Sequence, residues 1–274
     1  MANAAEESIR VRHPAVAGRF YPADPMTLTA DVQRDLDAAQ TPPLDRVRAV
    51  IAPQAGNNCS GPDAGYSFKT LGALPPDETY TVFLIGPAHW ASVDGVALSA
   101  ATHFATPLGK VPLDTAACDA LLAMGTPFYM ADDPHRPEHA LELELPFLQS
   151  VLPHFRMVPL LLHDERWSVP LSEALGCLLE ERPASLIVVS SDLSHFRAYA
   201  DAQARDERFL QAVVKGDLEA AREGEACGWP AIMALMLLAE RRGWQARRLA
   251  YANSGDTCSG RRSVVGYGAV AYTA

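Results

Sequence analysis

The sequence predicts a single layered α/β domain with a central, mainly parallel β-sheet flanked by helices. Three observations carry that reading. Runs such as Tyr80-Thr81-Val82-Phe83-Leu84-Ile85 and Ser185-Leu186-Ile187-Val188-Val189-Ser190 are almost continuously apolar, as strands covered on both faces are. Helical patterns separate these runs, and strands that alternate with helices build parallel sheets through crossovers. No linker is long enough to divide the chain into separate domains.

Taken in order, residues 1–12 read as a tail, and the domain spans 13–274, settling at Pro14-Ala15-Val16-Ala17-Gly18. A helix over about 25–39 stops at the Thr41-Pro42-Pro43 break, and the first core strand follows at 47–52. The second strand covers 80–85. Residues 95–113 read as a β excursion that turns at Thr106-Pro107-Leu108-Gly109. Residues 140–152 read as a helix kinked at Pro146. Strands at 157–162 and 185–190 enclose a helix at 171–181. Helices at 201–214 and 229–242 precede the last strands, 248–252 and 264–270.

Composition narrows the function. With 274 residues, 49% of them hydrophobic, the chain can build a core without staples. Its formal net charge is −10 and its arginines come in pairs, not stripes, which argues against nucleic acid as a partner. The five cysteines are odd in number, widely spaced and without a CxxC. That pattern predicts free thiols in a reducing, cytoplasmic setting. The first twelve residues lack the apolar centre of a signal peptide, and no run of ~18 apolar residues offers a membrane span.

In open α/β sheets, ligands bind beyond the carboxyl ends of the strands. The first strand is followed by Pro53-Gln54-Ala55-Gly56-Asn57-Asn58-Cys59-Ser60-Gly61, and the second by Gly86-Pro87-Ala88-His89-Trp90. The strand at 185–190 leads into Ser191-Asp192-Leu193-Ser194-His195-Phe196, and that at 248–252 into Asn253-Ser254-Gly255-Asp256-Thr257-Cys258. Each polar residue has a bland explanation: a hydrogen-bonded histidine, a helix-capping Asp192, a small buried thiol at Cys258. Four such ends on one rim predict a shared pocket. His, Cys and carboxylate donors suit a borderline divalent metal such as iron, copper or zinc. Asp192 would orient His195, which would act as a general acid or base, or as a ligand. In a second dense segment, 134–148, Glu138 and Glu142 fall four residues apart, on one face if helical, with His139 beside them. A serine hydrolase built on Ser191 or Ser194 is disfavoured, because no GxSxG elbow occurs.

From about Arg12 to the C-terminus the chain resembles the MEMO family in its prokaryotic, AmmeMemoRadiSam-type form. The stretches that carry the resemblance are Pro14-Ala15-Val16-Ala17-Gly18-Arg19-Phe20-Tyr21-Pro22, Gly86-Pro87-Ala88-His89, Thr106-Pro107-Leu108-Gly109, Glu138-His139-Ala140-Leu141-Glu142, Leu145-Pro146-Phe147-Leu148, Ser190-Ser191-Asp192-Leu193-Ser194-His195, Cys227-Gly228 and Val265-Gly266-Tyr267. The resemblance implies a fold similar to class III extradiol dioxygenases, which use non-haem iron. It also implies a pocket that binds iron or copper. By position, His89 matches a ligand histidine, Asp192 and His195 the Asp/His pair, and Cys258 is taken for the family's late cysteine. Partners among AMMECR-type and radical-SAM proteins are implied too, because family members are often encoded beside them.

One departure matters. The family's first motif begins Pro-His-Ala-Gly-Tyr, whereas this chain has Pro53-Gln54-Ala55-Gly56-Asn57. Residue 54 becomes a neutral amide, a weak ligand for such metals. The pocket has then lost its metal, or Cys59 replaces the ligand, or the site works without one. Two functions follow. One is a metal-dependent oxidoreductase of extradiol type, with His89, Cys258 and Gln54 around the metal. The other is a non-catalytic protein that binds a small molecule or peptide in the same pocket, lined by Asn57, Cys59, Ser194, Glu138 and His139.

Overall fold

The computed structural model describes residues 9–274. Its strands are β1 (Val11–Arg12), β2 (Val47–Ala52), β3 (Tyr80–Pro87), β4 (Val96–Leu98), β5 (His103–Thr106), β6 (Gly109–Pro112), β7 (Phe128–Met130), β8 (Phe155–Leu162), β9 (Ser185–Ser190), β10 (His195–Arg197), β11 (Gln245–Asn253) and β12 (Val264–Thr273). Its α-helices are α1 (Pro25–Ala38), α2 (Asn57–Leu71), α3 (Thr115–Ala123), α4 (Leu145–Val151), α5 (Ser168–Glu181), α6 (Tyr199–Lys215), α7 (Leu218–Arg222), α8 (Trp229–Arg242) and α9 (Ser254–Thr257).

The apolar runs form the centre of the large sheet. β2, β9, β3 and β8 lie side by side, all parallel. β12 is antiparallel to β2 and β11 antiparallel to β12, so β11 points the same way as β2. The carboxyl ends of β2, β3, β9 and β11 therefore open on one edge, which is what positions the site. Further out, β10 pairs antiparallel with β12, β4 antiparallel with β8, and β7 parallel with β4. A small second sheet, β1-β5-β6, contains the turn of the expected excursion and its later strands, while its first strand, β4, joins the large sheet.

Side chains alternate across a strand, and each face of the sheet buries its own helices. Ile51, Phe83, Ile85, Ile187 and Val189 pack with apolar residues of α3, α5, α6 and α8. Val50, Val82, Leu84, Leu186 and Val188 pack on the other face with those of α1, α2 and α4. The product is one α/β domain of three layers.

Four expectations change. The expected tail ends sooner, because Val11 and Arg12 pair with β5 and Arg12 is buried; residues 1–8 lie outside the described residues. The segment 140–152 is not one kinked helix: 140–144 are turns, and α4 starts at Leu145 with Pro146 in its first turn. There a missing N–H breaks no helical bond. Glu138 and Glu142 therefore do not share a helix face. Helix α2 begins at Asn57, inside what reads as a polar loop, and carries Gly61, Pro62 and Gly65. Gly65 is required by packing, since a Cβ there would lie 2.5 Å from the Asp35 carbonyl oxygen of α1. Lastly, Asp192 caps no helix, because 191–194 run as an irregular link into β10.

Candidate functional site

His89 lies just beyond β3, against the turn segment that carries Glu138. Glu138 holds it twice: the backbone N–H of His89 donates to Oε2 at 2.6 Å, and Nδ1 lies 2.9 Å from Oε1. A neutral imidazole tied to a carboxylate through Nδ1–H has Nε2 as a bare acceptor. Burial alone would raise the Glu138 carboxyl, but hydrogen bonds from His139 and His89 lead the effects that outweigh it and hold it well below the usual carboxylate range. The ring of His139 stacks on that of His89 at 4.7 Å, and Phe20 meets it edge-on at 5.1 Å. Ligand atoms of His89, Glu138 and His139 all lie within 4.8 Å of one another, a grouping that could hold a metal ion.

Gln54, just past β2, is 1% exposed. Its backbone N–H donates to Asp192 Oδ1 at 2.8 Å. Its side-chain Nε2 lies 3.0 Å from Cys227 Sγ and 3.4 Å from His89 Nε2, while Oε1 lies 2.6 Å from Ser190 Oγ. Cys227 precedes α8 and is clasped by Asp192, whose N–H donates to Sγ at 3.2 Å and whose carbonyl accepts from Cys227 N–H at 3.1 Å. Gly228 permits this approach: a Cβ there would fall 2.7 Å from the Ser191 side chain and 2.8 Å from the Ser190 carbonyl oxygen. Burial, and then the Asp192 charge, push the Cys227 thiol up to about 12.

Asp192 is itself raised by burial, against the pull of the Gln54 N–H and of His195, His139 and His89 around it. His195 sits on β10, its Nδ1 2.9 Å from the Leu193 carbonyl, which leaves Nε2 as the acceptor of the neutral ring. Phe196 follows with φ 57° and 79% exposure. Trp90, 65% exposed, brings its indole nitrogen within 3.3 Å of His139 Nδ1. Two exposed aromatic side chains thus adjoin the cluster, Trp90 beside His139 and Phe196 beside His195.

Gln54, His89, Glu138, His139, Asp192 and His195 come together; Cys258 and Cys59 do not join them as thiols. Their sulfurs are bonded to each other across a separation of 199 residues, tying the first turn of α2 to the end of α9. A sulfur in a disulfide is not the thiolate that a metal needs. Neither cysteine can serve as the expected ligand, and the cysteine count no longer argues for a reducing compartment. The pocket thiol is Cys227. Strand-end reading misses it because it precedes a helix, although Cys227-Gly228 is among the family-like stretches. Ser190 and Glu144 are also missed, the first at the end of an apolar run and the second in an alternating Leu-Glu stretch. Asn57 is buried as the first residue of α2, its N–H donating to the Phe20 carbonyl. Ser194 is buried and tied through its N–H to Asp206 of α6. Without reductant, an alkylating reagent should label exposed Cys177 first and leave Cys118 and Cys227, whose thiols burial raises to about 12, nearly untouched. Peptide mass spectrometry would detect this, together with a linked 59–258 peptide; fast labelling of Cys258 would contradict the pairing.

A three-layer α/β fold with a cluster of polar side chains at the strand ends defines a general class. The sequence profile described as Memo-like protein matches residues 12–271, and the chain belongs to that family. MEMO1 family proteins of Archaeoglobus fulgidus and Aeropyrum pernix are 32% and 33% identical to it, each alignment covering 96% of this chain and 99% of the relative. One from Nitrosopumilus maritimus is 28% identical with the same coverage. The crystal structure of an uncharacterized Escherichia coli K12 protein superposes with a TM-score of 0.52 at 15% identity, over 81% of this chain and 99% of the other, a likeness of fold. Among the described residues, no helix is long and apolar enough to cross a membrane.

The iron or copper suggested by the family resemblance does not fit residues 54, 89 and 227 as they stand. Both acceptor atoms, His89 Nε2 and Cys227 Sγ, face the Gln54 amide nitrogen. An amide N–H2 has two hydrogens to give and no lone pair for a cation.

Proposed function

We propose that this chain is a Memo-family protein whose strand-end pocket binds a small polar molecule or a peptide without a resident metal. The observation that carries this reading is the position of the Gln54 amide nitrogen, 3.0 Å from Cys227 Sγ and 3.4 Å from His89 Nε2. Hydrogen bonds there take the place of metal bonds. The groups left to meet a ligand are His195, able to give or take a proton, Asp192 as its charged neighbour, and the flanking rings of Trp90 and Phe196. A few convergent polar groups between aromatic walls are what small-molecule sites offer. AMMECR-type and radical-SAM proteins are the partners we would try first.

A second reading keeps a metal, held by His89, Glu138 and His139, because their ligand atoms lie within 4.8 Å of one another. Against it, Glu138 already accepts from His89 twice and from the N–H groups of His139 and Ala140. That reading would make the chain a metal-dependent oxidoreductase of extradiol type. Metal analysis of tag-free protein purified without oxygen separates the two. We expect far less than one iron or copper per chain, and one per chain would overturn the metal-free reading.

A further inference from the structure

We propose that Glu144, acting through Ser190, is the positioning residue that fixes which end of the Gln54 amide faces the pocket. The inference rests on the metal-free reading above and explains how that state is held. Ser190 ends β9 and is fully buried. Its Oγ lies 2.6 Å from Gln54 Oε1, 2.6 Å from Glu144 Oε1 and 2.7 Å from the Ala140 carbonyl oxygen.

Proton counting decides the arrangement. A hydroxyl owns one proton and cannot donate to three oxygens. The Ala140 carbonyl only accepts. The Gln54 end nearest Ser190 is its oxygen, because its nitrogen is needed by the bare Nε2 of His89. Glu144 is therefore the partner that brings a proton: it is a carboxylic acid, donating to Ser190 Oγ. Burial agrees, since Glu144 is fully enclosed and its carboxyl is raised well above the ordinary range by burial first of all. Its Oε2 has no hydrogen-bond partner among the described residues, a surrounding that suits a neutral acid far better than a carboxylate.

The relay thus runs outward. Glu144 donates to Ser190, and Ser190 shares its one proton between Gln54 Oε1 and the Ala140 carbonyl oxygen, both in reach of it. The amide N–H2 then points at Cys227 and His89. An ionised Glu144 would draw the Ser190 proton to itself. Ser190 would then offer Gln54 only lone pairs, and the amide would reverse, turning its oxygen to the pocket as a potential ligand. A buried acid behind the site thereby selects a pocket surface that turns cations away.

Two measurements on the full chain test this. The first is the infrared difference between wild type and Glu144→Gln at neutral pH. The carbonyl band of a protonated carboxylic acid should be present in wild type and lost in the variant; no lost band means that Glu144 is ionised and overturns the proposal. The second is anaerobic titration with cobalt(II) alone, read by thiolate-to-cobalt absorption. Ser190→Ala removes the donor that holds Oε1 and should bind cobalt about fivefold tighter or more. Ser190→Thr, which keeps the hydroxyl, should restore the weak binding of wild type. If Ser190→Ala matches wild type while Gln54→His binds tightly, Ser190 does not hold the amide and the relay is wrong, although the metal-free reading stands. Tight stoichiometric binding by wild type would instead remove the metal-free reading itself.

Discussion

Glu142→Ala is expected to lower the stability of the folded chain by about 3–5 kcal/mol, the class of loss seen when one partner of a buried ion pair is removed. Glu142 is 0% exposed and ties the N-terminal segment to the turn before α4. Its carboxylate accepts from Arg12 Nη1, from the N–H groups of Ala15 and Val16 at 2.7 and 3.1 Å, and from the Tyr21 hydroxyl at 2.6 Å. Burial, followed by the Glu142 charge, raises the Tyr21 phenol, which keeps it a donor. Truncation would leave a buried guanidinium, two backbone donors and a phenol without their acceptor. Urea denaturation gives the number, and Glu142→Gln, which keeps an acceptor but not the charge, should fall between. A loss below ~1 kcal/mol for the alanine variant would show that the clasp is not a major source of stability.

Breaking the Cys59–Cys258 bond is expected to cost about 2–5 kcal/mol. The link closes a loop of 199 residues, and long loops lose the most chain entropy when cross-linked, although native strain can offset some of it. The bond also joins separate pieces of the pocket frame. Cys59 lies on α2, five residues past Gln54, while Cys258 immediately follows α9, whose Ser254 side chain accepts the N–H of Val265, the residue paired with His195. Cys258 is exposed, so a dithiol reductant should reach it without prior unfolding. Reduced wild type and Cys59→Ser should melt together, several degrees below the oxidised protein. Equal midpoints for oxidised and reduced protein would mean that the two sulfurs are not bonded in solution.

The fold was legible because its central strands are buried on both faces, and that burial writes itself as unbroken apolar runs at 80–85 and 185–190. Of the candidate site, the clustering was legible where a polar residue comes within a few positions after such a run, as Gln54, His89, Asp192 and His195 do. Elsewhere the pattern is silent. Helix α2 is hidden because Gly61, Pro62 and Gly65 weaken the local helical signal, while close packing on α1 requires small residues there. Cys227 reaches the pocket from a helix start, through a close approach that Gly228 allows and no periodicity records. The Cys59–Cys258 pair is 199 residues apart in sequence, and spacing alone cannot announce it. Glu144 reads as one acid in an alternating stretch, and only its enclosure beside Ser190 gives it a task.

The most direct test of the central claim is anomalous X-ray diffraction from crystals of the wild-type chain grown anaerobically with excess cobalt(II), beside crystals of Gln54→His treated alike. An imidazole at residue 54 supplies the lone pair that the amide nitrogen lacks. The account predicts no cobalt peak between His89 Nε2 and Cys227 Sγ in wild type, where the Gln54 amide fills that position, and a peak there in the variant. A cobalt peak bonded to His89 and Cys227 in the wild-type crystal would contradict it.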